Sequence, residues 1–303
     1  FNDAVAQVTR DVKGYDLVWA RSSYLGGQRH SAQWSGDSQC TFPAMAATLR
    51  GGLSHGLSGV PFWSHDAGGF NGTPDTVLYA RWAQFGAFSP LVRFHGTTTR
   101  EPWRFAPEAE DAAREALHLR YRLMPYLYSA AAVAARTGTP LMRALCVDYP
   151  DDPLAWQAEL EYLLGPDLLV APVCGPEGIR NVYLPPGHWV DYWSGRLHDG
   201  GRTVKLHSPL NRFPLFVRLG ALIPVVEATT TIPDGPFPPI TLVSWGGQGR
   251  RTVLTDVDGD TVVTAVREGD TLRVTVDGPA PITGVDIVPV HGLTPPTHVE
   301  LHR

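Results

Sequence analysis

Apolar positions in the first part of the chain follow a repeating order of helix and strand. Val5, Val8 and Val12 recur at helical spacing until Gly14 stops them, and Leu17-Val18-Trp19-Ala20 is an apolar run of strand length. A second strand is read at residues 32–35, ending on Gly36-Asp37. Over residues 41–57, Met45, Leu49 and Leu53 are spaced for a helix whose paired glycines let it pack closely on something flat. Residues 60–64 predict a third strand, 79–88 a helix and 91–94 a fourth strand. Residues 107–136 predict one long helix. Its first turns carry Glu108, Glu110 and Asp111, and Leu117, Tyr121, Met124, Leu127 and Tyr128 form its apolar stripe. Such alternation argues for parallel strands with helices between them.

From about Leu141 the pattern changes to short strands broken by proline and Asp-Gly. Strands are read at 168–173, 182–184, 189–193, 215–218, 222–226, 240–243, 253–254, 262–266, 272–276 and 284–290, and Asp258-Gly259 is the strongest hairpin signal. The expected fold is therefore α/β followed by all-β: an α/β portion over 1–138 and two small β-sandwiches over 139–228 and 229–303. Boundaries fall near 137–140 and in the threonine- and proline-rich stretch 228–239.

The polar residues Arg21, Asp37, Asp66 and His95 all fall just after predicted strand ends, where a (β/α)8 barrel places its chemistry. One stretch concentrates the candidates. Trp34-Ser35-Gly36-Asp37 and Phe62-Trp63-Ser64-His65-Asp66-Ala67-Gly68-Gly69-Phe70 combine two carboxylates with aromatic rings and glycines, the materials of a sugar site. On the residues alone, Asp37 reads first as the N-cap of the following helix, and Asp66 as a cap of the Gly68-Gly69 turn.

Composition narrows the partners. Net charge is −5 over 303 residues, with no run of basic residues, which excludes nucleic acid and anionic membrane as expected partners. Only Lys13 and Lys205 are lysine, so arginine is the default cation and no single arginine stands out by type alone. Cys40, Cys146 and Cys174 are widely spaced, without metal-ligand spacing, and read as buried free thiols. Asp256-Val257-Asp258-Gly259-Asp260 invites a calcium reading that Thr261 and Arg267, at the glycine and glutamate positions of such a loop, contradict. No metal or cofactor is expected. There is no run of 18 apolar residues. The opening Phe1-Asn2-Asp3-Ala4 has no signal-peptide layout and reads as the interior of a longer chain.

Several segments together resemble glycoside hydrolase family 31, and within it the bacterial α-xylosidase branch. They are Arg21-Ser22, Gln33-Trp34-Ser35-Gly36-Asp37, Leu49-Arg50-Gly51-Gly52-Leu53-Ser54, Phe62 to Phe70, Leu91-Val92-Arg93-Phe94-His95-Gly96, Met124-Pro125-Tyr126-Leu127-Tyr128, Gly165 to Val173 and Phe213 to Pro224. The resemblance implies a retaining hydrolase of terminal α-xylosyl residues, with an α-glucosidase or transglycosylase as rival and a non-catalytic, sugar-binding or packing fragment as a third possibility. It implies that residues 1–138 are the second half, strands five to eight, of a (β/α)8 barrel, with the nucleophilic aspartate preceding Phe1. It assigns Asp37 as general acid/base, its pKa raised by burial beside Trp34 and by the nucleophile's charge. It places Arg21 and His95 on sugar hydroxyls, Trp34 and Phe70 on the pocket wall, and Asp66 near the sugar. Ser64-His65 and the Phe94-His95-Gly96 turn carry the preference for xylose. An α-xyloside or α-glucoside oligosaccharide substrate, a cytoplasmic location and a homo-oligomer are the remaining expectations.

Overall fold

A computed structural model of the chain describes residues 1–30, 32–232 and 234–303. Pro233, part of the predicted linker, lies outside the described residues. The α/β portion runs α1 (Asn2–Lys13), β1 (Trp19–Ala20), β2 (Ala32–Trp34), α2 (Phe42–Leu57), β3 (Trp63–Ser64), β4 (Asp66–Ala67), α3 (Thr76–Ala87), β5 (Arg93–Phe94), α4 (Pro107–Arg122) and α5 (Met124–Thr137). All its strand pairs are parallel, β1 with β2, β2 with β3, and β4 with β5. Their carboxyl ends therefore share one side, and so do the loops that leave them.

Local chemistry explains most helix ends. Gly14 ends α1 in the left-handed conformation (φ 83°). Thr41 caps α2, its hydroxyl accepting the Ala44 N–H at 3.3 Å, so Asp37 is not the cap. Asp75 Oδ1 accepts the Leu78 N–H at 2.8 Å, which starts α3 earlier than the apolar pattern predicts. The expected single helix over 107–136 is two. It breaks at Leu123 (φ −82°, ψ 6°) because Pro125, in the first turn of α5, has no N–H to continue the ladder and its ring crowds the preceding turn.

Beyond Leu141 the strands form four further sheets. The largest is antiparallel and orders Leu197–Asp199, His188–Asp191, Leu215–Arg218, Leu168–Val170, Tyr162–Leu164 and Met142–Ala144. Across an apolar layer containing Leu163, Leu169 and Phe216 it faces the pair Ile179–Leu184 and Arg202–His207, which contributes Val182 and Leu184. A three-stranded sheet of Leu222–Val225, Ile240–Trp245 and Ile282–Val288 faces a four-stranded one of Arg250–Asp256, Gly259–Glu268, Thr271–Asp277 and His298–His302 in the same way. Leu222–Val225 pairs with Ile240–Trp245, so the last hydrogen-bonded unit begins before residue 229, where the sequence reading starts it. The strands at Met142–Ala144, Tyr162–Leu164, Leu197–Asp199, Arg202–His207 and His298–His302 escape that reading because they are short or carry charged residues along an exposed face.

One apolar core joins the α/β portion to the large sheet: Met45, Leu49 and Leu53 of α2 and Trp63 pack with Met142, Tyr162, Leu164, Leu215 and Val217. The strand ends are thereby held on a rigid base. Trp63 is 1% exposed and belongs to this core, not to a sugar surface. His65, between β3 and β4, is also interior. Trp82 Nε1–H, which can only donate, gives its hydrogen to His65 Nδ1 at 3.0 Å, so the proton sits on Nε2 and is donated to Ser89 Oγ at 3.0 Å. The ring stacks on Phe85 at 4.2 Å. The three cysteines are half-buried free thiols, less enclosed than expected.

Two outcomes follow from this packing. A Cβ on Gly52 would lie 1.8 Å from Trp63 Cζ2, so Gly52→Ala is expected to lift α2 off β3 and cost about 1–3 kcal/mol in urea unfolding. Burial drives the proton affinity of His65 down to about 3. Between that value and the ordinary 6.5 the unfolded chain binds a proton that the folded one refuses. Its stability is therefore intact above pH 6.5 and falls as the pH drops toward 3, by up to about 1.4 kcal/mol per unit. His65→Gln is expected to flatten that acid limb of the unfolding curve.

Candidate active site

Three loops leave the carboxyl ends of β2, β4 and β5, and backbone hydrogen bonds stitch them together. Ser38 O accepts the N–H groups of Phe70 at 2.8 Å and Asn71 at 2.9 Å, Asn71 O accepts that of Cys40 at 3.1 Å, and Phe70 O accepts that of Thr97 at 2.8 Å. The loops carrying Asp37, Phe70 and His95 are thus one connected surface.

Asp37 follows a turn that only glycine makes without strain, Gly36 having φ 88°. Asp37 is solvent-exposed, so the burial expected beside Trp34 is not found; its carboxylate lies 3.9 Å from the Arg21 guanidinium. Arg21 comes from the end of β1 and stacks on Trp34, its Cζ 5.1 Å from the ring centroid. With Ser35, Ser38, Thr48 and His55 these three residues line a cleft of about 550 Å3. Ser38 Oγ is buried there without a hydrogen-bond partner among the described residues. His55 closes the floor, its Nε2 2.8 Å from Gln33 Oε1, and burial lowers its affinity for a proton.

Asp66 is placed differently. It has no exposed surface, and β4–β5 pairing sets it directly opposite Arg93. Arg93 Nε–H donates to Asp66 Oδ1 at 2.8 Å and Trp34 Nε1–H donates to Oδ2 at 3.3 Å, so both carboxylate oxygens are taken by protein groups. Burial pushes the Asp66 carboxyl up, and the Arg93 cation, that hydrogen bond and Trp34 pull it back. Arg93 also lies over Trp34 at 4.8 Å and over Trp19 at 5.6 Å.

His95 is exposed and lines a neighbouring cleft of about 700 Å3 with Gly96, Thr97, Glu101 and Trp103. Phe70 stands against it with ring centroids 5.4 Å apart. Of the six residues singled out in the sequence, Arg21, Trp34 and Asp37 share one cleft, Phe70 and His95 stand together beside the adjoining one, and Asp66 lies beneath. His65 faces the core, so of the two features read as favouring xylose only the His95 turn reaches a cleft. Arg93 escapes the sequence reading, although the segment Leu91 to Gly96 is quoted there. Its signal is a charge inside a predicted strand, opposite another at a strand end.

Residues 1–130 match the TIM-barrel domain of glycosyl hydrolases family 31, and residues 138–223 match the C-terminal domain of the same family. The α-xylosidase of Saccharolobus solfataricus is 37% identical over 254 residues, 81% of this chain and 35% of that protein. Alpha-glucosidase 2 of Bacillus thermoamyloliquefaciens is 35% identical over 267 residues, 86% of this chain and 34% of that protein. The chain thus spans about a third of the length of these curated relatives. A family-31 dextranase of Flavobacterium johnsoniae, solved in complex with glucose, superposes with a TM-score of 0.81 at 31% identity, covering 89% of this chain and 37% of that one. Two consecutive domain matches, the parallel strands and the loops at their carboxyl ends agree: the chain belongs to glycoside hydrolase family 31.

Proposed function

We propose that this chain supplies the general acid/base, and much of the sugar-binding surface, of a retaining glycosidase that acts on terminal α-xylosyl residues. One observation carries the reading: an exposed carboxylate, Asp37, faces a cleft beside an arginine and a tryptophan face at the ends of parallel strands. On this reading Asp37 protonates the glycosidic oxygen as the leaving group departs, then takes a proton from the water that hydrolyses the glycosyl-enzyme. Arg21 and His95 hold sugar hydroxyls, and Trp34 and Phe70 form the wall. Asp66 acts through Trp34: it fixes the ring's edge and so sets the orientation of the ring in the cleft wall.

A retaining pair needs its second carboxylate about 5–5.5 Å away. Asp37 is the one carboxylate among the cleft's lining residues, and Asp66 is fully engaged by Arg93 and Trp34. On this reading the nucleophile is supplied by residues outside this sequence. The same reading takes β1 to β5 as strands five to eight of a (β/α)8 barrel, β3 and β4 being one strand interrupted at His65, with two β-sandwiches after them. Open strand edges support it, since β1 and β5 each pair on one side only among the described residues. An α-glucosidase is the rival specificity, favoured by relatives of that name and by the interior position of His65.

Two experiments test the reading. Residues 1–303 alone are expected to release no aryl group from aryl α-xyloside or α-glucoside, whereas the full-length gene product turns over the xyloside faster and loses about a thousandfold in kcat with Asp37→Ala. Turnover by the 303 residues that Asp37→Ala abolishes would put the nucleophile inside this sequence and sink the proposal. Asp66→Asn leaves the half-buried Arg93 facing a neutral partner. It is expected to cost about 1.5–3 kcal/mol in stability and, at temperatures where the variant is folded, to weaken methyl α-D-xylopyranoside binding followed by tryptophan fluorescence. Unchanged binding would separate Asp66 from the sugar site.

A further inference from the structure

We infer that Arg100 is a positioning residue of this site, a guanidinium clamp that holds the loops bearing Asp37, Phe70 and His95 in one arrangement; the inference rests on the reading of those loops as the sugar site. Arg100 is 4% exposed, yet its partners are carbonyl oxygens, one hydroxyl and one sulfur. Nε–H donates to Gly69 O at 2.9 Å, and Nη2–H reaches the carbonyls of Gly69 at 2.7 Å, Gly72 at 2.9 Å and Phe70 at 3.3 Å. Nη2 also lies 3.1 Å from Cys40 Sγ, at the end of the Asp37 loop. On the other side Nη1–H donates to Thr98 O at 3.0 Å, Thr98 Oγ1 at 2.6 Å and Thr99 O at 2.8 Å, in the loop that follows His95.

A desolvated cation is tolerated only where its hydrogens are satisfied, and the planar fork of arginine does so in several directions at once. All three loops converge on that fork. Glycine makes the room: a Cβ on Gly96, directly after His95, would sit 2.5 Å from Arg100 Cζ. The main chain of Arg100 is itself anchored, its carbonyl accepting the Tyr79 hydroxyl of α3 at 2.7 Å. Loops with few apolar contacts open easily on their own. Bound to one fork, they share a single geometry, and the Phe70–His95 contact that crosses two of them keeps its spacing.

The test compares Arg100→Lys and Arg100→Met with Arg81→Lys. Arg81 is an equally buried guanidinium that holds the carbonyls of Ser208, Pro209 and Arg212, outside the three loops. The probes are the 13Cε1 resonance of His95, assigned through His95→Gln, the exchange rate of the Thr97 amide, and the binding of methyl α-D-xylopyranoside. Both Arg100 variants are expected to move the His95 resonance away from the shift imposed by the Phe70 ring, to speed Thr97 exchange about tenfold or more, and to weaken sugar binding about tenfold. Arg81→Lys is expected to lower Tm with none of these changes. An unchanged His95 resonance in the Arg100 variants overturns the proposal. Should those variants not fold, the unaltered protein decides: one common opening rate for the Asn71 and Thr97 amides supports the clamp, and rates more than about tenfold apart overturn it. Absence of sugar binding by the unaltered chain, with the resonance and exchange results as expected, would remove the sugar reading and leave the clamp standing.

Discussion

A carboxylate with no exposed surface has to be compensated by the groups around it, and around Asp66 that compensation sets the site's geometry. The register of β4 and β5 places Arg93 opposite, and the pair takes one carboxylate oxygen. The other oxygen takes the indole N–H of Trp34, at the end of β2. Trp34 is thereby fixed at its edge, with the guanidiniums of Arg93 and Arg21 over its ring. Arg21 in turn faces Asp37. A chain of contacts runs from the buried Asp66, through its ion pair with the half-buried Arg93, to the exposed carboxylate, so the exposed group inherits its position from the buried one.

The base under this chain is stiff for a separate reason. α2 lies on Trp63 where Gly52 leaves no side chain between them, and its far end meets the strand Met142–Ala144. The large antiparallel sheet thus supports the strand ends from below through one shared core. Short strands of two or three residues would hold little register alone; buried packing from both sides holds it for them.

Arginine's prevalence takes on meaning in this setting. Arg81, Arg100 and Arg120 are each buried and hold backbone carbonyls, and Arg93 holds a carboxylate while stacking on two tryptophans. Lysine, a compact and strongly hydrated point charge, could not fill these places. Composition alone had made any single arginine uninformative; the distinction among them lies in what each guanidinium meets.

The sequence by itself determined most of the order of elements in the first 138 residues, the change to strands after Leu141 and the family, because periodicity, glycine stops and contiguous motifs are local properties. It also put Arg21, Asp37 and His95 after strand ends, whereas Asp66, expected there too, opens β4 and pairs with Arg93. Local signals failed where the cause was distant or too brief: the short strands near residues 142 and 162, the pairing of Leu222–Val225 across the expected boundary, and the helix break at Leu123 read through despite Pro125. Only the tertiary structure decided that Thr41 rather than Asp37 caps α2, that His65 and Trp63 face the core, and that Asp66 serves Arg93 and Trp34 instead of meeting solvent. The reason is physical: a residue's type and neighbours state which bonds it can make, and its partner across the fold states which it does make.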